Sequence, residues 1–152
     1  MHASRWVAAL LVIGGLALTG CTRLEAAAVA GAEKPSKVEA VAGTEAKKVV
    51  LTEQAVTRLG LQTATVAARP VRLAGGRTAT RATVPYSALL YDTKGDTWVF
   101  EVVAERSYLR KKVAVEVVDG ETVVMTSGPA VGATVVTVGA AVVYGTELGT
   151  GK

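Results

Sequence analysis

From Thr78 onward the sequence is a succession of short Val-rich runs, each alternating in polarity and each ended by glycine, proline or aspartate. Alternation with period two sends successive side chains to opposite faces of an extended strand, and β-branched residues favour that conformation. RTATRATVP is such a strand, ending at Pro85, with a bend over Tyr86 to Leu89. Further strands are expected at Trp98 to Val103, Tyr108 to Val118, Thr122 to Thr126 and Thr134 to Val138. Asp92-Thr93-Lys94-Gly95-Asp96 and Asp119-Gly120 are hairpin turns, and Gly128-Pro129 with Gly132 bounds a loop. Gly139 to Tyr144 then closes the domain before a polar tail. Short strands at regular spacing define an all-β class: a small antiparallel β-barrel or sandwich.

The part before Thr78 adds one short helix. Thr52 is placed to cap it, Glu53 suits the positive end of the helix dipole, and Gly60 is placed to stop it. Leu61 to Val66 alternates as a strand, and Val71 to Leu73 continues it beyond Pro70 until Gly75 and Gly76 break the pattern. Upstream, residues 21–47 are rich in Ala, Glu, Lys and Gly, contain Pro35 and no aromatic, and read as a flexible tether.

The N-terminus is of another kind. Arg5 precedes thirteen uncharged residues, Trp6 to Leu18, which suits a secretory signal and is short for a bilayer span of roughly 20 residues. Leu18-Thr19-Gly20-Cys21 resembles a bacterial lipobox. That resemblance implies cleavage before Cys21, the only cysteine of the chain, and a diacylglycerol on its thiol. The expected organisation is therefore a signal over 1–20, a lipidated tether over 21–47, a β-domain over 48–146 and a tail over 147–152. The expected location is the extracytoplasmic side of a membrane, periplasmic in a Gram-negative host.

Chemistry is sparse. The one histidine, His2, lies inside the signal, so a mature chain has neither imidazole nor a free thiol for nucleophilic catalysis. Asp92, Asp96, Asp119 and Glu121 are the remaining carboxylate candidates, and each sits at an expected hairpin tip, where acids serve turn geometry. Metal ligation lacks His and Cys, and no glycine-rich loop has phosphate- or dinucleotide-binding spacing. No cofactor is expected beyond the lipid on Cys21, and the chain reads as non-enzymatic. A net charge of +4 is too weak to indicate nucleic acid. Arg106, Arg110, Lys111 and Lys112 cluster, with Glu101, Glu105 and Glu116 close in sequence. The cluster reads either as a solvated strand face or as a docking patch. Trp98 and Phe100 fall on one side of their strand and read as core.

Taken in order, several pieces resemble the C-terminal, membrane-proximal domain of RND-type periplasmic adaptor subunits, the membrane fusion proteins. These are Val84-Pro85-Tyr86-Ser87-Ala88-Leu89, Gly95, Trp98-Val99-Phe100, Arg110 to Val115, Gly120, Ser127-Gly128, Gly132, Val135-Val136 and Gly139. Residues 78–146 carry that part, and Val49 to Val66 resembles the stretch by which many adaptors enter their β-barrel. A full adaptor inserts a lipoyl-like domain and a long α-helical hairpin between these regions. This chain passes from Val66 to Thr78 in a dozen residues, so neither is present there.

The resemblance implies a lipid-anchored subunit of a transmembrane efflux or transport complex. Its expected partners are an inner-membrane transporter or permease, longer adaptor subunits and the membrane, with Arg106, Tyr108 and Arg110 as candidate contacts. The alternative is a stand-alone envelope lipoprotein that binds a small ligand, a peptide or a cell-wall component.

Overall fold

The computed structural model describes residues 34–150. Eleven strands and two helices follow in the order β1 (Ser36–Ala40), β2 (Lys47–Leu51), α1 (Glu53–Leu59), β3 (Gln62–Thr65), β4 (Ala67–Arg72) and β5 (Thr78–Pro85). A single 3-10 turn at Tyr86–Ala88 leads to β6 (Leu90–Tyr91), β7 (Thr97–Ala104), β8 (Ser107–Lys112), β9 (Ala114–Asp119), β10 (Thr122–Ser127), β11 (Thr134–Val138) and α2 (Ala140–Leu148).

Among the described residues every strand pair is antiparallel. One sheet runs β1-β2-β8-β7-β11-β3, with β6 also on β7; the other runs β4-β5-β10-β9. The all-β expectation holds, in its sandwich form: neither sheet closes into a barrel.

The middle of the larger sheet is buried on both faces, and β7 shows how. Val99 faces the smaller sheet, in a core with Val84, Val123, Met125 and Val135. Its neighbour Phe100 faces the other way, in a second core with Val49, Leu51, Tyr108 and Val136, covered by Ala55 of α1 and by Ala140 and Val143 of α2. The molecule thus has three layers: small sheet, large sheet, helices. Strands buried on both faces lose the apolar–polar alternation that marks a half-buried strand. That explains Val-Val at 135–136 and Val-Phe at 99–100.

The chain crosses between sheets at a few residues, and these fill the space between them. Val66 joins β3 to β4, with its N–H on Ala133 O (2.8 Å) and its carbonyl on Gly132 N (2.9 Å). Ala88 and Leu89 follow β5 into β6, and all three residues are buried in the inter-sheet core. Val113 is the third crossing and corrects the expectation of one strand from Tyr108 to Val118. Its N–H bonds Thr97 O (2.8 Å), Thr97 Oγ1 donates to its carbonyl (2.6 Å), and the chain bends there from β8 into β9. Apolar alternation continues through the bend, so the sequence does not signal it.

The short helix forms as its caps require: Thr52 Oγ1 accepts from Ala55 N at 3.2 Å, and Gly60 takes φ 57°. Three further differences are informative. Ser36–Ala40, expected within the tether, is an edge strand on β2, pairing Val38 with Val49. It was obscured because it is mostly exposed and carries little apolar signal. Pro70 does not interrupt a strand but lies inside β4, opposite Thr80. This is tolerated because β4 is an edge strand, whose outer N–H groups need no partner. Finally, the closing segment and the first residues of the expected tail form a second helix, α2, ended by Gly149 at φ 77°.

Candidate functional site

The three candidate contact residues lie on or beside β8. Arg106 sits in the two-residue turn that joins β7 to β8, in the left-handed region (φ 52°). Its carbonyl accepts from Leu51 N (2.9 Å), and its guanidinium lies 3.7 Å from Glu53 and 3.5 Å from Glu105. Tyr108 is buried in the helix-side core, and that burial raises its hydroxyl pKa, with the Arg106 charge acting weakly in the opposite sense. Arg110 is also internal. Of the three, Arg106 alone presents a substantial part of its side chain to solvent.

Arg110 is the centre of a buried polar network. Its Nε donates to Glu147 Oε1 (3.3 Å) and lies 3.0 Å from Oε2. The Glu147 side chain is 2% exposed and the Arg110 side chain 10%. Glu147 Oε1 also accepts the main-chain N–H of Lys47 (3.0 Å), whereas Oε2 receives no aligned hydrogen bond and is held by charge alone. The guanidinium lies 4.2 Å from the Trp98 ring centre and 5.2 Å from that of Tyr144, a cation between two aromatic faces.

Trp98 Nε1 donates in turn to Asp92 Oδ2 (3.0 Å). Asp92 Oδ1 caps the hairpin loop by accepting from Lys94 N and Asp96 N, both at 2.9 Å. Partial desolvation pushes the Asp92 pKa up, but the bonds from Trp98, Asp96 and Lys94 and the Arg110 charge more than offset this, and the net shift is downward. Trp98, expected in the core beside Phe100, is only half-buried and serves as the surface that holds Arg110. The network ties the Asp92 loop, β7, β8, β2 and α2 together, and an arginine clamped in this way is structural.

The rest of the basic cluster is neutralised on the surface: Lys112 lies 2.9 Å from Asp96, and Lys111 3.8 Å from Glu101. The four hairpin-tip carboxylates do not gather. Asp92 is occupied by its own loop, Asp96 faces Lys112, and Asp119 and Glu121 flank the β9–β10 turn. Among the described residues no three acids, histidines or cysteines stand close enough to hold a metal ion. Cys21 lies outside the described residues.

Two concave sites lie along the outer side of the small sheet. One, of about 500 Å³, is bounded by Ala64, Arg69, Pro85, Tyr86 and Glu121. The other, of about 380 Å³, is bounded by Arg69, Arg72, Val117, Asp119 and Val124. They share Arg69, Thr83 and Thr122 and form one trough. Arg69 and Arg72 belong to β4 and Val117 to β9, the two edges of the sheet. The sheet therefore curls until its edges border one hollow, without closing.

Sequence reasoning missed two groups. Glu147 was assigned to the tail, though Ala140, Val143 and Glu147 share one helical face at spacings of three and four. The arginines of β4, β5 and the turn between them were passed over, although the fifteen residues from Ala67 to Arg81 hold four arginines and no acid.

Comparison with models of protein families gives no match for this sequence, and comparison with curated proteins gives none either.

Proposed function

We propose that the chain is a non-enzymatic, lipid-anchored subunit of a membrane transport or efflux complex, similar in role to the membrane-proximal part of a periplasmic adaptor. The observation that carries the reading is the ordered series of adaptor-like motifs from Val84 to Gly139, downstream of a lipobox-like Cys21. Two of those motifs build sheet crossings: Val84 to Leu89 carries the chain from β5 to β6, and Ser127 to Gly132 leads from β10 to β11. In the second, a Cβ on Gly128 would stand 3.1 Å from Met125 Sδ, which argues for glycine there. The residues that carry the resemblance are thus residues the architecture uses. In this reading the β-domain docks on the extracytoplasmic face of a transporter, and acyl chains at Cys21 hold it at the membrane.

A second reading, a stand-alone envelope module that binds a small ligand or peptide, is favoured by the trough beside Tyr86. Its size is within the range of small-molecule sites.

The deciding experiment is crosslinking of the tagged protein in cells, with mass spectrometry of the captured partners and a Cys21→Ala form in parallel. Capture of a polytopic transporter, reduced in the Cys21→Ala form, is the expected result. Capture of no transporter by protein that is folded and membrane-bound would overturn it in favour of the stand-alone module.

A further inference from the structure

The β4–β5 ribbon is the strongest charge feature that the fold leaves unused. β10 pairs with β5 from Pro85 only as far as Ala82, and from Arg81 onward β5 is paired with β4 alone. The end of the hairpin is therefore a two-stranded ribbon, closed by a turn in which Leu73 N bonds Arg77 O (2.8 Å) and Gly75 and Gly76 take φ 82° and 77°. Glycine makes this turn easily and leaves its tip small.

The ribbon gathers positive charge against its own stability. Arg69 and Arg81 are direct cross-strand partners, an arrangement of like charges that destabilises a strand pair. Arg81 is relieved by Glu116 at 2.7 Å. Among the described residues no carboxylate lies within salt-bridge distance of Arg69, Arg72 or Arg77. Arg72 folds towards the turn, with Nη2 3.9 Å from where a side chain on Gly76 would begin. Val71 in β4 and Leu73 just beyond its end stand between these arginines in the sequence. Arginines interleaved with apolar residues along a hairpin that has no acid of its own between Ala67 and Arg81 match the boundary between anionic head groups and acyl chains.

We propose that this ribbon is a membrane-contact element: Arg69, Arg72 and Arg77 bind the phosphate groups of anionic phospholipids. The choice of a lipid surface over an acidic protein rests on the lipid-anchored reading above. Cys21 stands fifteen residues before Ser36, so the linking chain spans at most about 50 Å. A domain of this length has a radius of gyration of about 14 Å, so a tether of that reach brings any of its surfaces to the bilayer. The acyl anchor and the basic ribbon would then supply the two signals that stable membrane attachment needs, and the ribbon would set which side of the domain faces the lipid.

The test uses Glu33–Lys152, a compact unit holding both cores and lacking Cys21, so that lipidation plays no part. Its sedimentation is measured with vesicles of phosphatidylcholine alone and of phosphatidylcholine with phosphatidylglycerol. Binding to the anionic vesicles only, weakened by salt, is expected. Arg69→Gln/Arg72→Gln/Arg77→Gln should lower the partition coefficient by roughly 100-fold. Lys34→Gln/Lys47→Gln/Lys94→Gln, which removes equal charge elsewhere, should lower it far less, and circular dichroism checks that each variant is folded. Equal losses in the two variants, or no binding to anionic vesicles, would overturn the proposal. Crosslinks from Gly75 that land on an acidic protein segment rather than lipid would overturn it as well. Loss of membrane association by Cys21→Ala in cells is a separate readout, so failure of the anchor and failure of the ribbon are distinguishable.

Discussion

Arg110 and Glu147 are thirty-seven residues apart and form a buried ion pair, with Nε 3.0 Å from Oε2. The pair fastens the C-terminal helix to the middle of the large sheet. Through Lys47 N it also fastens the start of β2. Breaking a buried pair on one side leaves a charge without compensation and costs about 3–5 kcal/mol. Arg110→Ala should reach the upper part of that range, because it also empties the space between Trp98 and Tyr144. Arg110→Met/Glu147→Leu removes both charges and should recover most of the loss. Urea unfolding of the three proteins measures this, and a double variant no better than Arg110→Ala would show that packing, not charge, dominates.

Val135 and Val136 are adjacent on β11 and point into different cores. Each valine-to-alanine change removes two methyl groups and leaves a cavity, at a cost of about 2 kcal/mol. Both substitutions should therefore destabilise to a similar extent by thermal denaturation. A sheet with one solvated face would make one of the two nearly silent.

Glycines at positive φ are not equivalent here. Gly120 (φ 56°) and Gly139 (φ 86°) both favour glycine, but a Cβ on Gly120 meets nothing, whereas one on Gly139 runs into Leu61 Cδ2. Gly120→Ala should cost about 1 kcal/mol from backbone strain alone. Gly139→Ala should cost clearly more, since α2 must shift or Leu61 must leave its place, and Leu61→Ala should restore part of the difference. Chemical denaturation of the single and double variants provides the comparison.

Glu39 lies between Lys48 (2.7 Å) and Lys37 (2.9 Å), and their hydrogen bonds and charges, Lys48 first, hold its pKa down from 4.5 to about 2. A carboxyl whose folded pKa lies below its unfolded value stabilises the fold above the unfolded value. That contribution is lost as pH falls through the folded one. The attachment of β1 to β2 should therefore weaken as pH falls from about 4.5 to about 2. A carbon-13 NMR titration of the Glu39 carboxyl should show the low midpoint, and Lys48→Gln should move it upward. The pair is exposed, so added salt should shrink the difference.

Much of the fold was legible locally. Thr52 and Gly60 mark the ends of α1 because caps depend on neighbouring backbone groups. Gly95 marks its loop because the positive φ is a local demand, met here at 84°. Strands such as Thr134–Val138 announce themselves by β-branched content alone. What the candidate contact residues would do was not legible in the same way. Tyr108 and Arg110 sit in a basic, alternating stretch that reads as surface; the helix-side core around Tyr108 and the contact of Arg110 with Glu147 of α2 make them interior.

By itself, then, the sequence determined the antiparallel β class, the positions of the main turns, α1 and its caps. It also displayed the acid-free run of arginines before Arg81, whose meaning depends on the ribbon that carries it. Each of these follows from interactions within a few residues. Tertiary structure alone decided the bend at Val113, the strand at Ser36–Ala40, the helix at Ala140–Leu148 and the burial of Glu147. The Val113 bend depends on Thr97, β1 on its pairing with β2, and α2 on a core contributed by β2, β7, β8 and β11. A glutamate in a closing segment reads as solvated until an arginine from a distant strand, held between Trp98 and Tyr144, gives its charge a reason to be inside.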